Sequence, residues 1–131
     1  MSDIPNDLRY TRSHEWVRSL PTGQVEVGIT QHAQSSLGDL VFVDIPEAGR
    51  VVSAGEACAV VESVKAASDI YSPVDGVIVA GNAAVTNAPE LVNSDPYAAG
   101  WLMRIEPRGN PASASLLSAA EYAQLLADAS H

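Results

Sequence analysis

Glu62-Ser63-Val64-Lys65-Ala66-Ala67-Ser68-Asp69 is the stretch whose reading decides the fold. Lys65 is the only lysine in a chain of 131 residues that carries seven lysines and arginines together. Lysine is ordinarily among the commonest residues of soluble domains. Either drift has removed the others, or this one primary amine has been placed. Upstream, Val51-Val52 and Cys58-Ala59-Val60-Val61 read as short strands split by Ala54-Gly55-Glu56. Downstream, Ile70-Tyr71-Ser72-Pro73 leads through Val74-Asp75-Gly76 into a further strand, Val77-Ile78-Val79-Ala80. The small and polar residues around the lysine suit a tight turn, which puts Lys65 at an exposed hairpin tip.

A Schiff-base or general-base lysine needs burial or neighbouring cations to lower its pKa. Glu62 and Asp69 are acidic instead, so a projecting amine that another enzyme acylates fits better. Pro46-x-x-Gly49 recurs as Pro73-x-x-Gly76, with Val52 matched by Val79 and Ala57 by Ala84. A turn-rich β chain also produces such a recurrence by chance. Joined to a sole lysine at the junction, it points to two similar β units and a swinging-arm carrier.

The attachment stretch, with Ser68-Asp69-Ile70-Tyr71-Ser72-Pro73-Val74-x-Gly76 after it, resembles the lipoylation segment of the glycine cleavage system H-protein family. Related lipoyl domains usually read Asp-Lys-Ala and biotin carriers Met-Lys-Met, where this chain has Val64-Lys65-Ala66. Further landmarks follow in order: Ser13-His14-Glu15-Trp16, Gly28-Ile29-Thr30, Leu37-Gly38-Asp39, Pro89-Glu90-Leu91-Val92-Asn93 and Pro96-Tyr97-x-x-Gly100-Trp101. Gly81-Asn82-Ala83 departs from the usual Val-Asn pair, and the lysine richness of many relatives is absent.

The resemblance implies an all-β barrel-sandwich hybrid, two sheets related by an approximate two-fold, with short peripheral helices. It also implies lipoate in amide linkage on Lys65, and Ser13, Glu15 and Asp69 near the cleft where a loaded arm rests. Ordinary surface carboxylates and a turn-forming serine are the competing reading for those three. The implied work is that of a carrier, not an enzyme. Glycine decarboxylase (P protein) puts an aminomethyl group on the arm, and the tetrahydrofolate-dependent aminomethyltransferase (T protein) takes the one-carbon unit. Dihydrolipoyl dehydrogenase (L protein) reoxidises the dithiol, and a lipoate ligase or lipoyl/octanoyl transferase installs the arm. Two readings stay open beside it: a lipoyl donor in a protein lipoylation relay, and an interaction module that is never modified.

The bulk properties agree. The length suits one domain, residues 1–131 with a core over about 8–106. Apolar content is 47% and charged content 18%, which marks a globular chain. A net charge of −9 argues against nucleic acid and anionic membrane partners, and suits basic clefts on partner enzymes. Cys58, the single cysteine, reads as a small core residue, and a monomer is expected. Neither a membrane-spanning run nor a signal or transit pattern is present in the sequence, so a cytoplasmic protein is expected, mitochondrial only if a presequence has been removed.

Along the chain, Tyr10–Ser19 and Gln24–Ile29 read as a hairpin, and Thr30 caps a helix over residues 31–37 that ends at Gly38. Residues 39–45 read as a strand with Val41 and Val43 on one face and Leu40 and Phe42 on the other. Residues 86–100 read as turn-rich and without regular structure, residues 101–105 as a last strand, and 107–111 as a linker. A terminal helix over about 115–129 starts at a capping box, Ser118-x-x-Glu121, with Leu117 and Tyr122 as a hydrophobic staple. Its apolar face is Tyr122, Leu125, Leu126 and Ala129. His14, His32 and His131 lack metal-ligand spacing, no hydrolase elbow or phosphate loop occurs, and Trp16 and Trp101 read as core residues.

Overall fold

The computed structural model describes residues 4–108 and 116–129. Strands β1 (Arg9–Tyr10), β2 (Glu15–Ser19) and β3 (Val25–Ile29) precede helix α1 (Gln31–Leu37). Strands β4 (Leu40–Asp44), β5 (Val51–Val52), β6 (Ala57–Ser63), β7 (Ala67–Tyr71) and β8 (Gly76–Gly81) follow. Short helices α2 (Ala83–Asn87) and α3 (Glu90–Ser94), strand β9 (Met103–Pro107) and helix α4 (Ala119–Ala129) complete the order. All strand pairings are antiparallel. One sheet runs β1-β2-β3-β9-β8-β5 and the other β4-β6-β7. This is the expected all-β barrel-sandwich hybrid with peripheral helices.

The core lies where the sheets face each other. Val27, Ile29, Ile78 and Ile105 of the larger sheet share one buried cluster with Val43, Ala59, Val61 and Ile70 of the smaller. Cys58 is buried there as expected, and burial pushes its thiol up to about 11. A second cluster joins Leu8, Tyr10 and Trp16 to Ala119 and Tyr122 of α4, so the terminal helix docks as its apolar face predicts. Trp16 is fully buried, whereas Trp101 is half-buried beneath the Arg104 guanidinium, 4.2 Å above its ring.

The repeated Pro-x-x-Gly marks equivalent corners. After Pro46 the chain crosses from β4 to β5, and after Pro73 from β7 to β8, each time passing from the smaller sheet to the larger. The two glycines serve different ends. Gly49 needs its positive φ of 95°, while at Gly76 a Cβ would come 2.4 Å from the Glu106 carbonyl oxygen. Beyond the corners the repeat lapses: Val52 is buried and Val79 exposed, and Ala57 opens a strand where Ala84 lies in a helix.

Four sequence expectations need correction. The strand read over Tyr10–Ser19 is broken, because the Thr11 hydroxyl oxygen accepts from the amides of Ser13 (3.2 Å) and Glu15 (3.1 Å) and folds residues 11–14 into a turn. In β4, a bulge between Leu40 and Phe42 breaks the alternation, so Leu40 and Val43 point inward while Val41 and Phe42 are exposed. Residues 86–100 are not without regular structure. Asn82 caps α2 by accepting from the Ala84 amide, and Pro89 stands at the entrance of α3, where its missing N–H costs nothing. The last strand is Met103–Pro107, so Pro107 belongs to β9, and the linker from residue 109 lies outside the described residues.

The capping box of α4 is reciprocal: Glu121 N donates to Ser118 Oγ (3.1 Å) and Ser118 N to Glu121 Oε1 (2.8 Å). Residue 115, and the Ala129 side chain, lie outside the described residues.

Candidate functional site

Lys65 lies in the turn between β6 and β7, and its side chain is exposed. Ser63 builds the turn. Its Oγ accepts from the Lys65 and Ala66 amides, both at 3.1 Å, and its N–H donates to the Ala66 carbonyl at 2.8 Å. The Val64 amide donates to the Asp39 carbonyl at 3.3 Å, tying the tip to the start of β4. The backbone under the amine is therefore held by groups other than the lysine side chain. Nζ donates to the Ser36 carbonyl at 3.1 Å, at the C-terminal end of α1. The chain passes close by at Gly38, where a Cβ would stand 3.3 Å from the lysine Cε.

Ser36 also lines a cavity of about 240 Å³, which places that cavity beside the amine. Ser13, His14, His32 and Ser68 supply its other polar walls, and Ala33 and Leu37 its apolar ones. Of the three residues expected at an arm cleft, Ser13 lines this cavity. Glu15 is buried in β2, where Oε1 accepts from the Thr11 hydroxyl and Oε2 from the Tyr71 amide at 3.3 Å. Burial raises its pKa, against the opposing pull of those hydrogen bonds. Asp69 is exposed on β7, pairing with Val60, and by strand alternation it faces away from its neighbour Ser68, which does line the cavity.

Sequence reasoning missed His14 and His32 as cavity residues. Their rings lie 4.9 Å apart although one follows β1 and the other sits in α1. His14 has a φ of 71°, the only positive φ among the described residues other than glycine. Its Nδ1 is 2.8 Å from the Tyr122 hydroxyl, which in turn is 2.7 Å from Thr30 Oγ1. Burial first, and then His32, lower the His14 pKa, so the imidazole in the cavity wall is biased toward its neutral form. The one local signal was His14-Glu15 itself, and its partner on α4 lies 108 positions away.

An exposed amine on a self-supported turn, with a cavity next to it, fits a covalently attached acyl arm. Among the described residues no helix is long and apolar enough to cross a membrane. Comparison with known proteins converges on one family. The family model for the glycine cleavage H-protein matches residues 8–129. The glycine cleavage system H protein of Azoarcus sp. (strain BH72) is 61% identical over 128 residues, covering 98% of this chain and 100% of that protein. Its counterpart from Halorhodospira halophila is 60% identical over the same length, covering 98% of each. The crystal structure of a glycine cleavage system H protein from Mycobacterium marinum superposes with a TM-score of 0.85 at 46% identity, covering 95% of this chain and 99% of that one. On its sequence and on its fold alike, the chain belongs to the glycine cleavage H-protein family.

Proposed function

We propose that Lys65 carries lipoate in amide linkage through Nζ, and that the protein shuttles this arm among the enzymes of the glycine cleavage system. The observation that carries the reading is a single lysine exposed at a hairpin tip whose backbone is braced by Ser63 and Asp39. Acylation of Nζ removes a charge, and with it the charge-assisted character of the bond to Ser36, and leaves the bonds of the turn in place. When bound, lipoate supplies the dithiolane chemistry that takes up and returns an aminomethyl group.

The chain's own share is to position and to shield. The hydroxyls of Ser13 and Ser68 and the imidazoles of His14 and His32 give an amine hydrogen-bond partners in a cavity walled by Ala33 and Leu37. Holding a cargo there keeps water from it. The exposed tip lets each partner's active site meet the arm at high effective concentration. The partners are glycine decarboxylase, the aminomethyltransferase and dihydrolipoyl dehydrogenase, with a lipoate ligase or lipoyl/octanoyl transferase to load the arm. A net charge of −9 suits basic clefts on such enzymes.

Intact mass after incubation with lipoate ligase, ATP and lipoate tests the attachment. One lipoyl increment is expected on the wild type and none on Lys65→Arg, which keeps its unfolding midpoint and does not support glycine decarboxylation with the partner enzymes. A Lys65→Arg protein that still supports decarboxylation overturns the reading.

A further inference from the structure

Five large apolar side chains are well exposed among the described residues, and three of them crowd the corner that holds Lys65. Val41 is 57% exposed, Phe42 48% and Val64 74%. The bulge in β4 turns the first two outward, and the Val64 amide bond to Asp39 brings the third beside them. On the outer face of the smaller sheet, Phe42, Glu62 and Ala67 form one row, and Asp44, Val60 and Asp69 the next. Asp39, Asp44, Glu62 and Asp69 are all exposed, and none of them joins an ion pair among the described residues. The result is an apolar patch inside an acidic rim. Apolar side chains rimmed by charge are the make-up of a docking surface.

We infer that this corner seats the enzyme that acylates Lys65, a partner whose active-site mouth offers an apolar depression bordered by lysine or arginine. The inference rests on the carrier reading above, and reach selects the occupant. The bare amine ends one side chain from the tip and leans on Ser36. An enzyme that acts on Nζ itself must therefore bring its reaction centre onto the tip and cover what surrounds it. Enzymes that act on the far end of a completed arm can dock at a distance. The step joins the carbonyl carbon of an activated acyl donor to Nζ, breaks that carbon's bond to the activating group, and releases a proton from the amine.

The test is a time course of intact mass with lipoate ligase, ATP and lipoate, run on the full chain and on single variants. Phe42→Ser is expected to lower kcat/KM about tenfold, as loss of a central aromatic anchor does. Val64→Ser, at a largely exposed turn position, carries the same test should Phe42→Ser fail to fold. Asp44→Lys is expected to lower kcat/KM several-fold at low salt, with the loss shrinking as salt is added. Val51→Ser removes an equally exposed valine from the other sheet and is expected to change nothing. Acylation of Phe42→Ser and Val64→Ser at the wild-type rate overturns the inference. It is also overturned if acylation is unaffected while the fully acylated variant is slow in glycine decarboxylation, because the corner then belongs to the decarboxylating enzyme. A wild type that takes up no acyl group strikes the carrier reading itself, an outcome distinct from both.

Discussion

Replacing Tyr122 by Phe removes one oxygen and leaves a ring of the same shape. The ring stacks on Tyr10 with centroids 4.7 Å apart and planes within 7°, and Phe preserves that contact. What goes is the hydroxyl between His14 Nδ1 at 2.8 Å and Thr30 Oγ1 at 2.7 Å. Thr30 keeps the Ala33 amide as a partner at 3.2 Å, whereas His14 Nδ1 loses its one hydrogen-bond partner among the described residues. Two neutral hydrogen bonds at about 1 kcal/mol each, plus the cost of an unpartnered half-buried nitrogen, give a loss of about 2–3 kcal/mol. That corresponds to a fall in Tm of roughly 10 °C for a domain of this size. Urea unfolding of wild type, Tyr122→Phe, His14→Asn and the double variant reads it, Asn being chosen because it tolerates the φ of 71° at this position. The pair should couple by about 1 kcal/mol. A Tyr122→Phe loss below about 0.5 kcal/mol, or single effects that add within about 0.3 kcal/mol, would refute the argument that α4 fixes this imidazole in the cavity wall.

The pH dependence of stability follows from the same residue. Because the folded pKa of His14 lies below its ordinary value of 6.5, its contribution is fully present above that value and lost as pH falls through the folded pKa. His14→Asn should therefore lose less stability than the wild type between about pH 7.5 and about pH 5.5, and parallel curves from urea titrations would count against it. Glu15 has the opposite sign: its folded pKa is raised above 4.5, so its contribution is present below that value and is lost as pH rises. Glu15→Gln should thus compare more favourably with the wild type at neutral pH than near pH 4.5, as paired unfolding titrations would show. Cys58, its thiol pushed up to about 11 within the core, should react with a disulfide reagent at neutral pH only as fast as the protein opens, and rapid labelling of the native state would contradict its placement. Glu26 is buried in β3 and pairs with Arg18 at 2.9 Å and Arg104 at 3.0 Å, so Glu26→Ala should cost roughly 2 kcal/mol, discounted because both arginines are about a third exposed. A change near zero in denaturant unfolding would show that solvent already screens the pairs.

What could be read from the chain was what is encoded over a few residues. The Lys65 tip, the Thr30 cap and the Ser118–Glu121 box each depend on side chains bonding to backbone three residues away or fewer. Pairing between distant strands was harder. The extra residue in β4 shows itself only against β6, and without it the alternation of Leu40, Val41, Phe42 and Val43 reads as a strand covered on both faces. Helices α2 and α3 have five residues each, too short to carry a period, and stand because Asn82 and Pro89 start them and Val85 and Val92 enter the core. At the site, the cavity gathers Ser13 and His14, His32, and Ser68 from three places along the chain. No local pattern announces that Ser68 faces it while Asp69 does not. The placement of His14 depends on a tyrosine 108 positions later.

Helix α1 ends with carbonyls that lack partners within the helix, and one of them, on Ser36, receives the ammonium of Lys65. The end of a helix is electronegative, so this is a berth for a cation. An amide has no charge to moor there. Under the proposed attachment, loading would therefore loosen its own product: the bare side chain is tied up alongside the helix, and acylation would take away the electrostatic hold on the lengthened chain.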